Sequence, residues 1–245
     1  MLFHVLSIFG ILVFEFCAAE KLHLPVSTCE RNTTDYSSCL KHAIQEAWPL
    51  FVKGLPSEFE FPPLDPLLFE YQDAEFDNDY IQGKISVFNI TIKGMSAARF
   101  VAVRPHFYDK TDFRLKIMLR IPTITLYGKY KAHGTLGGFL MTEEGKLNIS
   151  LENLKITWDI SGPVKDDTWI INQFFLNTLL QKLKIKLDDG NNREMNDLIT
   201  LFINEFWPLL YRRVIIPIAG PYWNSYCSNL SNRLFSKLSF SEIFP

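Results

Sequence analysis

The sequence predicts an α+β fold: a strongly curved antiparallel β-sheet wrapped around a long, kinked C-terminal helix, with a short helix near the N-terminus. Three observations predict it. Apolar residues alternate with polar ones through a long central region, and the alternation changes phase three times. A later run, from about Asn192 to Leu238, is spaced as a helix, apolar nearly all round in its first half, and broken by prolines. A shorter helical run, Asp35 to Gly54, precedes the strands. With 47% hydrophobic residues in 245, the chain can build one sizeable core. The 21 phenylalanines mean that aromatic surface must be buried or offered to something apolar.

Residues 1–19 are read as a signal peptide. Leu2 to Phe14 is almost wholly apolar, Glu15 ends the run, and Cys17-Ala18-Ala19 supplies small residues for cleavage after Ala19. That run is short of the roughly 20 residues that a membrane span needs. Residues 20–245 are then a single mature domain, since no linker, charge block or repeat divides them. Removing residues 1–19 takes one acid from the 27 and none of the 25 bases, leaving a net charge of -1. So even a balance gives no electrostatic claim on nucleic acid or on an anionic membrane. Cys29 and Cys39, so close in an exported chain, favour a disulfide over a metal site. Cys227 is left as a buried free thiol or an intermolecular bridge. Sequons at Asn32, Asn89, Asn148 and Asn229 agree with a secreted glycoprotein.

The first helix carries Leu40, Ile44, Ala47, Trp48, Phe51 and Val52 on its apolar face, with Gly54 and Pro56 as stop signals and Pro49 as a kink or a break. The proline-rich residues 61–69 form an ordered extended connection. Strands follow from about 71 to 187. Phe113, Leu115, Ile117, Leu119 and Ile121 alternate with polar or long side chains, as in a half-buried antiparallel strand. The phase changes between Val87 and Phe88, which joins Ile90 and Ile92 in the inward phase, between Ile121 and Ile124, and between Leu151 and Leu154. Each slip needs an extra residue to keep apolar side chains inward, and such bulges bend and twist a sheet. Residues 168–187 are ambiguous between helix and strand and are assigned to strand. In the last helix Leu198, Ile199, Leu201, Phe202, Ile203, Phe206, Trp207, Leu209 and Leu210 leave no polar face, so it is expected to be sheathed. Pro208, Pro217 and Pro221 should bend it. Farther on, Leu230, Leu234 and Leu238 line one face, with Asn229, Asn232 and Arg233 elsewhere.

Catalytic and metal-binding patterns are not written in the chain. There is no HExxH, GxSxG, CxxC, P-loop or GxGxxG, and His23, His42, His106 and His133 are scattered. Gly134, Gly137 and Gly138 have no strand–helix context for phosphate. Asp73, Glu75, Asp77 and Asp79 alternate on one strand face, but they lack the glycine and closing Glu of a calcium loop and read as a solvated face. No catalytic residue, metal or cofactor is therefore expected.

The chain resembles the takeout and juvenile hormone-binding proteins of insects. The resemblance covers essentially the whole chain: the signal, the Cys29/Cys39 pair, the LDPL segment at Leu64–Leu67, the Gly128/Tyr130/Gly134 stretch, the Gly190/Met195/Asn196/Asn204/Trp207 run and the ending NRLFSKLSFSEIFP from Asn232. It implies a super-roll of the TULIP type, an apolar tunnel beside the helix, a Cys29–Cys39 disulfide and extracellular transport of lipophilic molecules. The stretch TLGGFLMTEEG after Gly134 departs from the family pattern, and Cys227 has no family partner. The expected function is a non-enzymatic, secreted carrier of a small hydrophobic, lipid- or terpenoid-like molecule, a class that includes juvenile hormone, with no stable membrane insertion. The expected lining is Trp48, Phe51, Tyr130, Phe139, Trp158, Phe202, Phe206 and Leu210, with the Tyr130 hydroxyl free for one hydrogen bond to a ligand oxygen. The rivals are an interaction glycoprotein without ligand, and a lipid-ester hydrolase, for which no nucleophile elbow is written.

Overall fold

A computed structural model describes residues 21–77, 81–108, 111–136, 139–188 and 193–245. Residues 1–19, read from sequence as a signal peptide, and Asp79, Gly137, Gly138 and Gly190 lie outside the described residues, as do the side chains of Ile81, Leu136, Phe139 and Met141. The chain forms helix α1 (Tyr36–Lys53), a single 3-10 turn (Ser57–Phe59), strands β1 (Leu67–Asp77) and β2 (Ile81–Lys93), a second such turn (Met95–Ala97), and strands β3 (Arg99–Tyr108), β4 (Asp112–Leu136), β5 (Phe139–Lys165), β6 (Thr168–Trp169), β7 (Gln173–Leu179) and β8 (Lys182–Asp188). Helix α2 (Arg193–Leu210) runs through a π-helical turn (Tyr211–Ile215) into α3 (Ile216–Phe235), and α4 (Phe240–Ile243) ends the chain. The wide turn lies just before Pro217, whose ring would clash with the carbonyl four residues back in a regular helix. Residues 168–187 are strands, as assigned, whereas the strand region opens at Leu67 rather than 71. Pro49 neither splits α1 nor ends it: the helix runs through it to Lys53.

One antiparallel sheet holds all the long strands, in the order β1-β2-β4-β5, with β3 beside β4 and with β7 and β8 beside β5. The long strands β4 and β5 are its spine. Their ladder keeps one register from Asp112↔Pro163 to Leu136↔Phe139. Within it, Ile121 pairs with Leu154 and Thr123 with Glu152, while the intervening Pro122 and Asn153 drop out. Asn153 has a positive φ of 52°. The two slips predicted in these strands therefore face each other: both strands turn over together, and register survives. The slip in β2 differs. It falls at Asn89 (φ 50°), where the register against β4 shifts between Phe88 and Thr91. Phe88 consequently leaves the apolar phase predicted for it and packs on exposed Tyr71, ring centres 5.2 Å apart. Gly128 fits opposite that bulge because a Cβ there would fall 2.9 Å from the backbone oxygen of Phe88.

The core lies on the concave side, where Phe100, Val103, Phe113, Leu115, Leu119, Ile121, Leu154 and Trp169 are buried. Helix α1 closes the β3 end. Trp48 Nε1 donates to Met95 O (2.8 Å), and Gln45 Oε1 accepts from Phe100 N–H (2.9 Å). Asp65 fixes the turn below it by accepting from the backbone N–H groups of Gly94 (3.2 Å) and Ser96 (2.9 Å). The C-terminal segment is anchored by rings: Phe113 meets Trp169, Phe240 and Phe244 at 4.8, 5.2 and 4.8 Å. Cys29 and Cys39 are joined, and Cys227 is an unbridged, half-buried thiol that burial pushes up to about 12. Among the described residues, no helix is long and apolar enough to cross a membrane, and no group of His, Cys, Asp and Glu is arranged to hold a metal ion. Of the strand acids, Asp73 pairs with Lys84, as a solvated face requires.

Candidate functional site

The helices α2 and α3 lie along the open side of the curved sheet, and asparagines attach them. Asn204 Oδ1 accepts from Ile185 N–H, and its Nδ2 donates to Ile185 O, both at 2.8 Å. Asn232 grips Ile171 in the same two-fold way, at 2.7 and 2.9 Å. Asn224 Oδ1 accepts from Leu176 N–H at 2.8 Å. Leu176 and Ile185 lie on strands that pair with β5, and each amide satisfies backbone groups on the edge facing away from it. On the opposite edge, Phe69 of β1 meets Trp223 and Tyr226 of α3 at 5.2 and 5.4 Å. Helix α3 thus bridges the two edges of the half-barrel. Asn232, read from sequence as part of a polar surface, is one of these staples; its spacing alone did not separate it from exposed Asn229 and Arg233.

The expected sheathing of the last helix is only half observed. Its inner side meets the sheet, and its outer side is open: Leu198, Leu201 and Leu209 are 61%, 67% and 60% exposed. Phe206, expected in the lining, is 49% exposed and packs on Phe202 at 5.0 Å. The inner side of α2 carries Asn196 and Asn204, which bond to the sheet, so much of its apolar surface is turned outward, where the half-barrel does not reach.

The other expected lining residues fall into two places. Trp48, Trp158 and Phe100 form one aromatic cluster, with centres 5.3 to 6.3 Å apart, and Phe174 joins it through Trp158. Phe51 is set apart from this cluster, against Phe61. Tyr130 stands on the other half of the spine, buried, and its hydroxyl donates to Asn196 Oδ1 at 2.9 Å. That hydroxyl is therefore engaged by α2, which corrects the expectation of a free donor. Burial, and after it the charge of Glu143, pushes the Tyr130 phenol up to about 12. Leu210 is half-buried on α2, beside Tyr211, whose hydroxyl meets Thr178 Oγ1 at 2.5 Å.

Between these places, several residues on the concave side remain only half-buried although they face inward: Leu126, Ile149, Leu151, Leu176 and Ile185. Sequence reasoning missed them because an alternating Leu or Ile reads as core whether or not anything fills the space before it. Two hollows on the outer side of the sheet are different in kind. One, of about 390 Å³, lies around Arg114, Asp159 and Gln173; another, of about 580 Å³, lies around Lys84, Lys131, His133, Glu143 and Glu144. The first holds the ion pair Arg114–Asp159 and the second Lys131–Glu144, and neither touches an expected lining residue.

The family model described as haemolymph juvenile hormone binding protein (JHBP) matches residues 8–245. The structure is similar to the crystal structure of Takeout 1 from Epiphyas postvittana, with a TM-score of 0.70 and 21% identity over 85% of this chain and 95% of that one. No curated protein matches the sequence.

Proposed function

The chain belongs to the haemolymph juvenile hormone binding protein family, and on that premise we propose that it is a secreted, non-enzymatic carrier of a small hydrophobic molecule. One observation carries this reading: an inward-facing apolar surface (Leu126, Ile149, Leu151, Leu176, Ile185) beside α2 and α3 stays only half-buried. Apolar area left accessible inside a fold costs free energy, and a ligand that covers it recovers about 25 cal/mol per Å². The lining proposed is this surface together with Trp158, Leu210 and the inner side of Phe202; Phe139 keeps its place in the proposal on sequence grounds.

The absence of charged side chains from most of that surface supports binding by length and apolarity, a class to which juvenile-hormone-type terpenoids belong. Export is supported by the signal-like residues 1–19, the Cys29–Cys39 disulfide and the sequons, of which Asn32, Asn89 and Asn229 are exposed and Asn148 is half-buried. The test is extraction of natively secreted protein into organic solvent, with mass spectrometry, followed by titration with an apolar fluorophore. A carrier releases a lipophilic molecule or binds the probe at about one site per chain. A chain that does neither is an interaction glycoprotein, the second reading, in whose favour stands the exposed apolar outer side of α2.

A further inference from the structure

The concave face has one polar irregularity. The β4–β5 register sets Tyr130 opposite Gly145 and Ala132 opposite Glu143, so Glu143 shares the inward side with Tyr130. Among the described strand residues, the other Asp, Glu, Lys and Arg side chains fall on the outer phase of their strands: Lys84 with His133, Lys129 with Lys146, Lys131 with Glu144, and Lys184 and Lys186 along β8. Glu143 is 7% exposed, and its Oε2 has no hydrogen-bond partner. Asn196 of α2 is 3% exposed and already holds the Tyr130 hydroxyl. One turn farther along α2, Thr200 has a buried Oγ1 that is likewise unpartnered. A polar patch is therefore set into an apolar wall, with an acceptor left unsatisfied.

A buried carboxylate oxygen without a donor is among the most unfavourable groups to leave unpaired. It lies at the end of the apolar surface described above, where the polar end of an amphiphile would come to rest. An ionised carboxylate only accepts. The Tyr130 oxygen has spent its proton on Asn196 and also has only lone pairs to offer. Thr200 can donate or accept, so it does not discriminate.

Resting on the carrier reading, we propose that Glu143 selects ligands whose polar head carries a hydrogen-bond donor, a hydroxyl or an amine, over esters and epoxides of the same length. A donor head makes a charge-assisted bond to Glu143 Oε2 in a site with little water, whereas an ester, which can only accept from Thr200 or the Asn196 amide, leaves the carboxylate unpaired.

The experiment uses the full secreted protein and three probes of similar chain length, dodecanol, dodecylamine and methyl laurate, measured by displacement of a bound apolar fluorophore. The alcohol and the amine should bind on the order of 10- to 100-fold more tightly than the ester. In Glu143→Gln and Glu143→Leu that ratio should fall to within about threefold of unity, with ester binding kept or improved. Two variants are used because one removes only the charge and the other removes the polar group. An ester that binds the native protein as well as the alcohol, or a preference that persists in both variants, overturns the role of Glu143 and leaves the carrier reading intact. A protein that binds neither fluorophore nor any of the three probes overturns both.

Discussion

Asparagine staples make a quantitative demand on stability, most clearly at Asn204. Replacing it by alanine removes two 2.8 Å hydrogen bonds at once, and both partners are backbone groups of a single residue, Ile185. Ile185 pairs with Ile149 of β5 on one side, and its N–H and C=O point to α2 on the other, so the strand cannot reclaim them. At about 1 kcal/mol net per bond, with a further penalty for orphaned groups under a helix, the loss should be about 2–3 kcal/mol. For a domain of this size that is a fall in Tm of roughly 4–12 °C. Asn204→Asp should cost at least as much at neutral pH, because it keeps an acceptor for the N–H and turns a carboxylate toward the Ile185 carbonyl. Asn177→Ala, at an exposed position on β7, is the control and should leave Tm within about 1 °C. Thermal unfolding gives the magnitude, and hydrogen exchange at the Ile185 amide locates it. If Asn204→Ala melts with the native protein and the Ile185 amide stays equally protected, the edge of the sheet is held without the helix, and the stapling argument fails.

Further expectations follow from other parts of the fold. Phe206→Glu should fold with a loss of less than about 1 kcal/mol, because half of that ring already meets water; failure to fold would show that the outer side of α2 is covered. Removing the Cys29–Cys39 bridge as a paired Ser variant should cost about 3 kcal/mol, from the loop of sequence separation 10 that it closes, while Cys227 should react with an alkylating reagent only once the fold is opened; both can be read by unfolding and peptide mapping. Burial alone would raise the Asp65 carboxyl, but hydrogen bonds from Ser96 and Gly94 outweigh it and hold the group below its ordinary 3.8. Its contribution is therefore present above that value and lost as pH falls through the lower folded one, so native protein should lose stability faster than Asp65→Asn on acidification below about pH 4.

Much of this fold is legible in the sequence because apolar phase is a physical record of which side a residue faces. The alternation in 113–121, the ambiguous stretch resolved as β7 and β8, and the slips at 121–124 and 151–154 all correspond to observed strands. What the phase did not carry is pairing. Two slips that look separate along the chain cancel across the ladder at Pro122 and Asn153, and only the register reveals it. Phe88 reads as an inward residue because a hydrophobic ring in the right parity looks the same whether it packs on Tyr71 or on the core. The site was less legible. Aromatic residues drew the prediction, whereas the surface that remains open is aliphatic, and the residues that place the helix over it are asparagines. An amide side chain gives no periodic signal, and its role is set by which backbone edge it happens to meet.

The paired slip at Pro122 and Asn153 also explains why one sheet can hold both a solid core and an open wall. On the near side, residues 112–121 and 154–163 bury Phe113, Leu119, Ile121, Leu154, Ile156 and Ile160 beneath the terminal aromatic cluster, where Trp169 is 1% exposed; the facing pair Trp158 and Leu176 stays half-buried there and joins the open wall. Beyond the slip, both strands have turned over together, so the same ladder continues in a new orientation with β2 and β8 as its neighbours. Buried Ile124, Tyr130 and Leu147 then alternate along the strands with half-buried Leu126, Ile149 and Leu151. A solid core on one side of the bend supplies the stability, so the other side need not be filled to hold the fold. Changes at Phe113 or Trp169 should therefore be read out as loss of folding. Changes at Ile149, Leu151 or Glu143 should be read out first as altered binding, with smaller shifts in Tm. A set of variants in which both halves lowered Tm equally, with binding falling only in proportion, would show instead that the sheet is one uniform core.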